Sequence, residues 1–529
     1  MIRLSAIRSL GSPAMTAPLP RPLPGRLWLP ALAGIAFLLT ACTEPPSAPT
    51  EPSAEPEAAA AGERPPNIVL VFADDLGIGD IGVYGGEVIS TPNIDALAAA
   101  GVRATEGYVS HPVCSPSRAG MLTGRYQARH GWEFNPAGRD VENGMSTAER
   151  TFADALKDLG YATGMVGKWH LGYQREHHPM SRGFDEYFGV LAGGSIFIDS
   201  RTPGVETIGP PLTERPERVA VSRGFETVEV EEYLTDAFTD EAVAFIDRHS
   251  DEPFFLYLSH TTPHTPLQAT ERYLEPYRHI EDPRTRVYAA MVGSLDESVA
   301  RVVAKLREIG QYENTLIAFL SDNGCAGYIG HACSNAPHKG FKRYHHEGGI
   351  RTPFILSWPD GLPSGQAYGE PVISLDLLAT FTGAAGNAAT TEDSVDLLPY
   401  LRGEADGRPH EHLYWRSGPN MAIRDERWKL IQYRRTDFTT DDLDETGRLT
   451  PPEEGWPTDA PLGHVTMLYD LDADPGETVN LAAEHPDVVE RLSARHAEWV
   501  ATLPTDPAIL PAVRSTLVEA DGETVQLIF

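Results

Sequence analysis

Basic residues are scarce in this chain of 529 residues: 43 Lys and Arg stand against 75 Asp and Glu, and the formal net charge at pH 7 is -32. A body with so much negative charge repels the phosphate backbone of DNA and RNA. We therefore exclude nucleic acid as a partner. A small anionic substrate is compatible with this charge only if a local cationic pocket outweighs the overall field.

The chain lacks the composition of a disordered protein, because 41% of its residues are hydrophobic and 22% are charged. The chain is long enough for a large core divided between two or more domains. We find no internal repeats.

An apolar stretch near the start, LWLPALAGIAFLLTAC (27–42), follows Arg21 and Arg26. It is too short and too weakly flanked for a stable membrane span and is typical of a signal peptide. Its end resembles a bacterial lipobox, which predicts cleavage before Cys42 and lipidation of that cysteine. The alternative is an internal signal sequence in which Cys42 is incidental, and Met15 is an alternative start.

We therefore predict a lipoprotein signal peptide at residues 1–41, followed by a tether at 42–66 that is rich in Pro, Glu, Ala and Ser and cannot bury a core. Lipid on Cys42 would hold the globular body at a membrane surface. Thr43, in place of Asp after the lipidated cysteine, resembles outer-membrane sorting. We expect an exported bacterial lipoprotein, anchored in the outer membrane and facing the periplasm or the cell surface.

Cysteine is rare, with four residues in the chain, which is too few for a disulfide framework. Cys325 and Cys333 lie eight positions apart in what we predict to be an exported protein. This spacing favours a local disulfide. A zinc site that includes His331 and His338 is the alternative, although its spacing matches no familiar zinc pattern well.

Apolar runs of strand length alternate with helical patterns from residue 67 onwards. Four of these runs are apolar throughout, at 67–73, 161–167, 253–259 and 315–321. Such strands, separated by helices, predict an α/β fold with a mostly parallel central sheet that is flanked by helices on both faces. We assign residues 67–408 to this domain.

The segment from 409 to 529 has a different pattern. Short half-polar strands surround the turn-like Asp425-Glu426, and a final helix follows. This pattern predicts a smaller C-terminal α+β subdomain with an antiparallel sheet and one packed helix. The polar, irregular segments 201–231 and 436–464 are predicted insertions over one face of the body.

Polar residues follow the predicted strands at the ends where open α/β sheets bind ligands. Singly, each has an ordinary explanation as a helix cap, a turn or a surface histidine. Their common position favours one site. The residues at the strand ends are Asp74, Asp75, Lys168, His170, His264, Asp322 and Asn323.

Three carboxylates and one amide in this set offer only oxygen ligands, which suit a hard divalent cation and lack the donors that zinc prefers. Calcium is the favoured ion and magnesium the second choice. The predicted ligands are Asp74, Asp75, Asp322 and Asn323. Arg118, Lys168 and Lys342 would add the positive charge that an anionic ligand needs.

Cys114 precedes a helix-like run, PSRAGMLTG, with Pro116 and Ser117 at the helix entry. The side chain of residue 114 would lie near free backbone N–H groups, where an anion is stabilised. A buried free cysteine is the ordinary alternative. The flanking Ser-Pro-Ser-Arg favours an exposed turn.

The stretch Cys114-Ser115-Pro116-Ser117-Arg118, continued by Leu122-Thr123-Gly124-Arg125, resembles the signature of the type I sulfatases. In that family a maturation enzyme reads the linear motif and oxidises the cysteine to formylglycine. The resemblance covers about residues 67–500 and implies an alkaline-phosphatase-like fold. Further similar segments are the Asp74-Asp75 pair, GKWHLG (167–172), PHTP (263–266), SDNG (321–324), Lys342 with EGG (347–349), and LYDLDADPGETVNLA (468–482).

The resemblance implies a mechanism. Hydrated formylglycine at position 114 would share the metal with the four oxygen ligands, attack the sulfur of a sulfate ester, and later expel sulfate by re-forming its aldehyde. His264 would be the principal acid for the leaving alcohol, with Lys342 on the bridging oxygen. Hydrated formylglycine is a geminal diol. His170 would assist its deprotonation, and Arg118 and Lys168 would orient it.

Substrate specificity is assigned to the irregular segments 174–231 and 436–464. Ser195 is a candidate for a further polar contact, and His177 and His178 either contact substrate or are solvated loop residues. The expected substrate is a sulfated saccharide or another sulfate ester. The alternatives are a phosphonate monoester or phosphodiester hydrolase of the same superfamily, and a lipoprotein that binds sulfated glycans without hydrolysis.

Overall fold

The computed structural model describes residues 64–136, 142–444, 448–449, 460–504 and 514–529. The predicted signal peptide, the lipidation site at Cys42 and most of the tether lie outside the described residues. No helix among the described residues combines the length and apolar character that a membrane crossing requires.

The strands are numbered in chain order. They are β1 (Asn67–Ala73), β2 (Val102–Ala104), β3 (Gly107–Tyr108), β4 (Ala162–Lys168), β5 (Glu186–Val190), β6 (Glu206–Thr207), β7 (Val221–Arg223), β8 (Glu226–Val228), β9 (Phe254–Ser259), β10 (Gln268–Ala269), β11 (Thr315–Ser321), β12 (Phe354–Ser357), β13 (Gln366–Tyr368), β14 (Val372–Ile373), β15 (Leu413–Ser417), β16 (Asn420–Arg424), β17 (Trp428–Arg434), β18 (His464–Asp470), β19 (Ser515–Ala520) and β20 (Glu523–Ile528).

The α-helices are numbered in the same way. They are α1 (Pro92–Ala99), α2 (Cys114–Thr123), α3 (Phe152–Asp158), α4 (Leu234–Arg248), α5 (Glu271–Leu274), α6 (Pro283–Glu308), α7 (Glu347–Ile350), α8 (Leu377–Ala384), α9 (Leu398–Leu401) and α10 (Pro486–Val500).

A ten-stranded sheet forms the centre, in the order β13-β2-β12-β11-β1-β9-β4-β5-β7-β8. Its five middle strands, from β11 to β5, run parallel to one another. Antiparallel partners flank them, with β12 on one side and the β7–β8 pair on the other. The predicted mostly parallel sheet is confirmed, with antiparallel strands added on both sides.

Strand β1 shows why the central runs are apolar throughout. All seven of its residues are buried. Val69, Val71 and Ala73 face one core, with α1, α4 and α6. The alternate residues face a second core, with α2, α3 and α8. A strand covered on both faces has no solvated side, so it carries no polar alternation.

The register of the parallel strands places their carboxyl ends together. Ala73 of β1 lies opposite Ser321 of β11. Ser259 of β9 pairs with Phe72 on one side and with Gly167 of β4 on the other. Four strands therefore end within about one residue of each other at one edge, and the residues that follow them must share that edge.

A separate four-stranded antiparallel sheet, in the order β15-β16-β17-β18, packs with α10, as predicted. Every residue of β15 and β16 is buried, because α10 covers one face and the first domain covers the other. Trp415 donates a 2.7 Å hydrogen bond to the carbonyl of Val109, and Tyr414 stacks on Trp499 at 5.0 Å. The predicted domain boundary at 408/409 falls just before β15.

The hairpin β19–β20 was not predicted. Its two-residue loop is Asp521-Gly522, and both residues have positive φ, at 53° and 76°. An Asp-Gly pair between strands of alternating pattern is a recognised hairpin signal, so the sequence contained the information. The end of this hairpin reaches the candidate site.

Candidate active site

Strand ends and one helix bring the predicted polar residues together. Asp74 and Asp75 follow β1, Lys168 ends β4, and Asp322 and Asn323 follow β11. Each of these side chains is buried. Cys114 begins α2 and lies among them, with its sulfur 3.9 Å from Oδ1 of Asp75.

Cys114 does not lie in an exposed turn, so that prediction is wrong. Helix α2 begins at Cys114 itself, and all ten of its residues are buried. The residue is 1% exposed. Burial raises the pKa of the Cys114 thiol to about 12, and the Asp322 carboxylate adds to the rise although Lys168 and Lys342 oppose it. A thiol that is protonated at neutral pH is a poor nucleophile.

Asp75 is the most contacted carboxylate of the site. It accepts hydrogen bonds from Lys342 Nζ at 2.6 Å, Asn323 Nδ2 at 2.7 Å and the Tyr328 hydroxyl at 3.1 Å. Burial works against ionisation, but Lys342 and then His264 hold the pKa of Asp75 well below its usual range. Its backbone has a φ of 66°, which is uncommon outside glycine but tolerated by Asp.

The other two carboxylates each have their own cation. Both oxygens of Asp74 accept from Lys168 Nζ, at 2.8 and 2.7 Å. Arg118 donates to Asp322 Oδ2 from Nε at 3.0 Å and from Nη2 at 2.7 Å. Three carboxylates are thus set against three cations. Burial raises the pKa of Asp74 to about 8 in spite of Lys168, so this carboxylate is the one that needs more positive charge.

The residues fit a hard divalent cation. Oδ1 of Asn323 is buried and has no hydrogen-bond partner among the described residues, as expected of an oxygen reserved for a metal. One ligand atom each from Asp74, Asp75, Cys114 and His264 lie within 4.8 Å of one another. His264 was not among the predicted ligands. Asp322 adjoins the group through its Oδ1, which accepts from the Asp75 N–H at 3.2 Å.

Two histidines face the space above Cys114. Nδ1 of His264 lies 2.6 Å from the carbonyl of Thr265, which directs Nε2 towards Asp75 Oδ2 at 3.6 Å. Burial lowers the pKa of His264 to about 4, although Asp75 opposes the change. Burial and the neighbouring cations, Lys168 first, keep the pKa of His170 well below its usual value. Both rings are therefore neutral at pH 7 when no anionic ligand occupies the site.

A pair of glycines keeps this space open. A Cβ at Gly193 would lie 2.5 Å from Nε2 of His170, and a Cβ at Gly194 would lie 3.3 Å from Nδ1 of His264. Any side chain at position 193 would displace the His170 ring, so this position requires glycine.

These residues open onto a cavity of about 500 Å³. Four of its lining residues are Lys or Arg, and none of those that the structure describes is Asp or Glu. The chain's overall charge is -32, so this cavity has the local cationic character that an anionic substrate requires. The lining residues are Cys114, Asn135, Pro136, His170, Tyr173, Ala192, Gly193, Gly194, Val219, His264, Thr265, Tyr328, Lys342, Arg343, Arg448, Arg514 and Phe529.

The predicted specificity segments contribute five residues to this lining: Ala192, Gly193, Gly194, Val219 and Arg448. Ser195 does not line the cavity, and its hydroxyl donates to the carbonyl of Val219 at 2.8 Å. His177 and His178 do not line it either. His178 is 3% exposed and packs against Tyr187 and Phe225, so it is neither a substrate contact nor a solvated loop residue.

Sequence reasoning missed several residues of the cavity wall. Tyr328 lies in a short 3-10 helix and Arg343 in a loop, and neither segment has a pattern that identifies a site. Arg514 and Phe529 flank the two strands of the unpredicted hairpin. The Asp-Gly turn of that hairpin was the available signal for the last two. No local signal identifies the first two, because only the packing of the loops brings them to the cavity.

Cys325 and Cys333 form a disulfide, as favoured from their spacing. The zinc alternative is wrong, because the two histidines point elsewhere. The His331 side chain is 78% exposed and lies 3.4 Å from Asp282. Nδ1 of His338 lies 3.2 Å from the carbonyl of Pro475.

The chain matches the sequence model of the Sulfatase family over residues 66–387. Steryl-sulfatase of Homo sapiens is 34% identical over 425 residues, which are 66% of this chain and 72% of that protein. N-acetylgalactosamine-6-sulfatase of Canis lupus familiaris is 33% identical over 470 residues, 82% of this chain and 86% of that protein. A crystal structure of Ps i-CgsB in complex with k-i-k-neocarrahexaose is similar with a TM-score of 0.71 and 31% identity, covering 84% of this chain and 94% of that chain.

Proposed function

This chain belongs to the sulfatase family, whose members hydrolyse sulfate esters, and we propose that it acts on sulfated carbohydrates with a formylglycine made from Cys114 and a divalent cation, Ca²⁺ in preference to Mg²⁺. One observation carries the proposal. Cys114 lies at the wall of a cationic cavity, with its sulfur 2.9 Å from Nζ of Lys342. A sulfate group in this cavity would meet the nucleophile and positive charge together.

Formylglycine explains why a cysteine occupies this position. The buried thiol is protonated at neutral pH, so it would not attack a sulfate ester itself. Hydrated formylglycine supplies a hydroxyl nucleophile and a second hydroxyl that allows sulfate to leave. Since Cys114 is 1% exposed within α2, a maturation enzyme must reach it before the chain folds.

The cation would be held by Asp74, Asp75, Asp322 and Asn323, together with residue 114. When bound, it supplies Lewis-acid stabilisation of negative charge at the reacting sulfate. The oxygen ligands support this assignment, as does the buried Oδ1 of Asn323, which has no hydrogen-bond partner in the described part of the chain. Three carboxylates already balance Arg118, Lys168 and Lys342, so a divalent ion would leave the site with a net positive charge.

The resemblance assigns Arg118 and Lys168 to orienting the diol at position 114, and their contacts support a further role. Neither lines the cavity: Arg118 contacts Asp322 and Ser259, and Lys168 contacts Asp74. We propose that both are positioning residues, which hold carboxylates in place through buried ion pairs.

His264, His170 and Lys342 do line the cavity, so they can touch a substrate. Nε2 of His264 can donate a proton to the leaving alcohol once a bound sulfate anion raises the pKa of the ring. His170 can take a proton from the hydroxyl at position 114, and Lys342 can stabilise charge on the bridging oxygen.

A saccharide is the proposed substrate because the names of several relatives specify one. The Canis lupus familiaris relative is an N-acetylgalactosamine-6-sulfatase, and the Ps i-CgsB structure contains a neocarrahexaose. We further propose that Cys42 carries lipid and anchors the protein in the outer membrane, so that it meets polysaccharide outside the cytoplasm. The lipobox-like sequence supports the anchor.

Mass spectrometry of the tryptic peptide 104–118, from protein made in its native host, tests the nucleophile. We expect an aldehyde in place of the thiol, and release of sulfate from a panel of sulfated sugars. The Cys114→Ala protein is the matched control and should release none. A wholly unmodified peptide, from protein that nevertheless hydrolyses the sugars, would refute formylglycine as the nucleophile.

A further inference from the structure

A group of three arginines lies at the cavity wall away from the proposed reacting centre. Arg343, Arg448 and Arg514 all line the cavity. They come from separate parts of the chain: a loop before α7, an irregular segment, and the residue just before β19. Leu449 pairs with Ser515 in an antiparallel bridge, which brings together the two segments that carry Arg448 and Arg514.

Arg343 is held by two aromatic rings. Its guanidinium carbon lies 3.9 Å from the ring centre of Phe529 and 5.4 Å from that of Tyr328. Its Nε is buried and has no hydrogen-bond partner among the described residues. The backbone is also specialised, because Arg343 has a φ of 84° and its N–H donates to the carbonyl of Pro112 at 2.8 Å. Its side chain is therefore placed rather than free in solvent.

The positive charges of the three arginines repel one another. Burial lowers the pKa of Arg343, and the positive charges of Arg448 and Arg514 lower it further while Tyr328 and Asp75 oppose them. Three guanidinium groups around one cavity, whose described lining includes no Asp or Glu, give a positive local potential that attracts an anion. Guanidinium groups are also suited to bidentate recognition of planar or tetrahedral oxyanions.

The side chain of Tyr328 connects the arginines with the reacting centre. Its hydroxyl donates to Asp75 at 3.1 Å, while its ring lies beside Arg343. Tyr328 is itself 47% exposed, so its ring offers a flat apolar surface. A saccharide that presents one sulfate to Cys114 would place its neighbouring substituents against this wall.

We propose that Arg343, Arg448 and Arg514 form a second anion-binding subsite, which recognises a sulfate or carboxylate on the substrate other than the sulfate that is hydrolysed. This inference rests on the proposed function and narrows it. The preferred substrates are then saccharides with at least two anionic groups, either multiply sulfated sugars or sulfated sugars linked to a uronate.

The test measures kcat/KM for Arg448→Gln and Arg514→Gln on position-matched substrates. The panel comprises a saccharide with one sulfate and no other charge, a disulfated saccharide, and a monosulfated disaccharide that contains a uronate. Arg307→Gln is the matched control, because Arg307 stacks on Tyr312 at 4.4 Å and does not line the cavity.

We expect either variant to lower kcat/KM for at least one doubly anionic substrate by about tenfold more than for the singly charged one, mainly through KM. The doubly anionic substrate with the larger loss of kcat/KM identifies the preferred anion as sulfate or uronate. Arg307→Gln should change none of the values. Equal losses on all three substrates, or no loss on any, would overturn the subsite.

Failure of the proposed function has a different outcome, because no substrate would then release sulfate. In that case the dissociation constants of the same saccharides for Cys114→Ala protein, with and without Arg448→Gln, decide the question by calorimetry. Weaker binding of the doubly anionic saccharides alone supports the subsite, and unchanged binding of all three overturns it.

Discussion

The ammonium group of Lys342 lies 2.9 Å from the sulfur of Cys114 and 2.6 Å from Oδ1 of Asp75. One side chain therefore touches both the residue to be oxidised and a proposed metal ligand. Its backbone N–H donates to the carbonyl of Cys325 at 2.9 Å, so the disulfide-containing loop sets the position of the lysine.

The disulfide should therefore affect activity as well as stability. We expect replacement of Cys325 and Cys333 together by Ala to lower the free energy of unfolding by about 2.5 kcal/mol, from the loop-closure entropy of a short loop. KM for a sulfated substrate should rise, because the loop that holds Lys342 is loosened. Thermal unfolding and steady-state kinetics check the two effects. An unchanged melting temperature would show that the cross-link constrains nothing.

His264→Gln tests the general acid. A good leaving group needs little protonation, whereas an alkyl alcohol needs much. We expect kcat on an alkyl or sugar sulfate to fall by about 10²–10⁴-fold and kcat on a nitrophenyl sulfate to fall far less. The ratio of the two losses is the measurement. Equal losses would assign His264 to binding or to the metal site instead of proton donation.

Metal binding should stabilise the fold. Removal of divalent ions with a chelator should lower the melting temperature and abolish sulfate release, and Ca²⁺ should restore both better than Mg²⁺. At 1,000 times its dissociation constant, the ion would add about 4 kcal/mol. Asn323→Leu is the control, since it removes Oδ1, the oxygen that accepts no hydrogen bond from the residues that the structure describes. If Ca²⁺ raises the melting temperature of this variant as much as that of the wild type, Asn323 is not a ligand.

The pair His410–Asp376 predicts a pH dependence of stability. Burial disfavours the charged ring, but the Asp376 carboxylate, with both oxygens 2.9 Å from Nε2, outweighs it and raises the pKa of His410. A raised folded-state pKa means that the stabilisation is complete below about pH 6.5, the unfolded value, and is lost as pH rises through the folded value.

His410→Gln should therefore lower the free energy of unfolding by about 1 kcal/mol near pH 5.5, and by progressively less at higher pH. Melting temperatures from pH 5.5 to 9 check this, with His279→Gln as an exposed control. A difference between wild type and variant that grows with pH would contradict the assignment.

Apolar runs with no polar alternation determined much of this protein from its sequence alone. A strand such as β1 can be apolar throughout only when helices cover both faces, so the sheet and its binding edge followed from the pattern. The sulfatase-like motif around Cys114 is linear and needs no folding to be read. The same holds for the acidic pair Asp74-Asp75 and for the Cys325–Cys333 spacing.

Tertiary structure decided what no short stretch contains. The burial of Cys114 depends on packing of α2 against the sheet, although its flanking residues are those of a turn. The pairing of Arg118 with Asp322, 204 positions away, likewise needs the folded sheet. Arg343 contacts Phe529 at the end of a distant hairpin, and only the packing of loops brings these two residues together at the cavity. A short sequence pattern indicates which secondary structure a segment favours and which of its residues are buried. Contacts between distant residues arise only when the whole chain has folded.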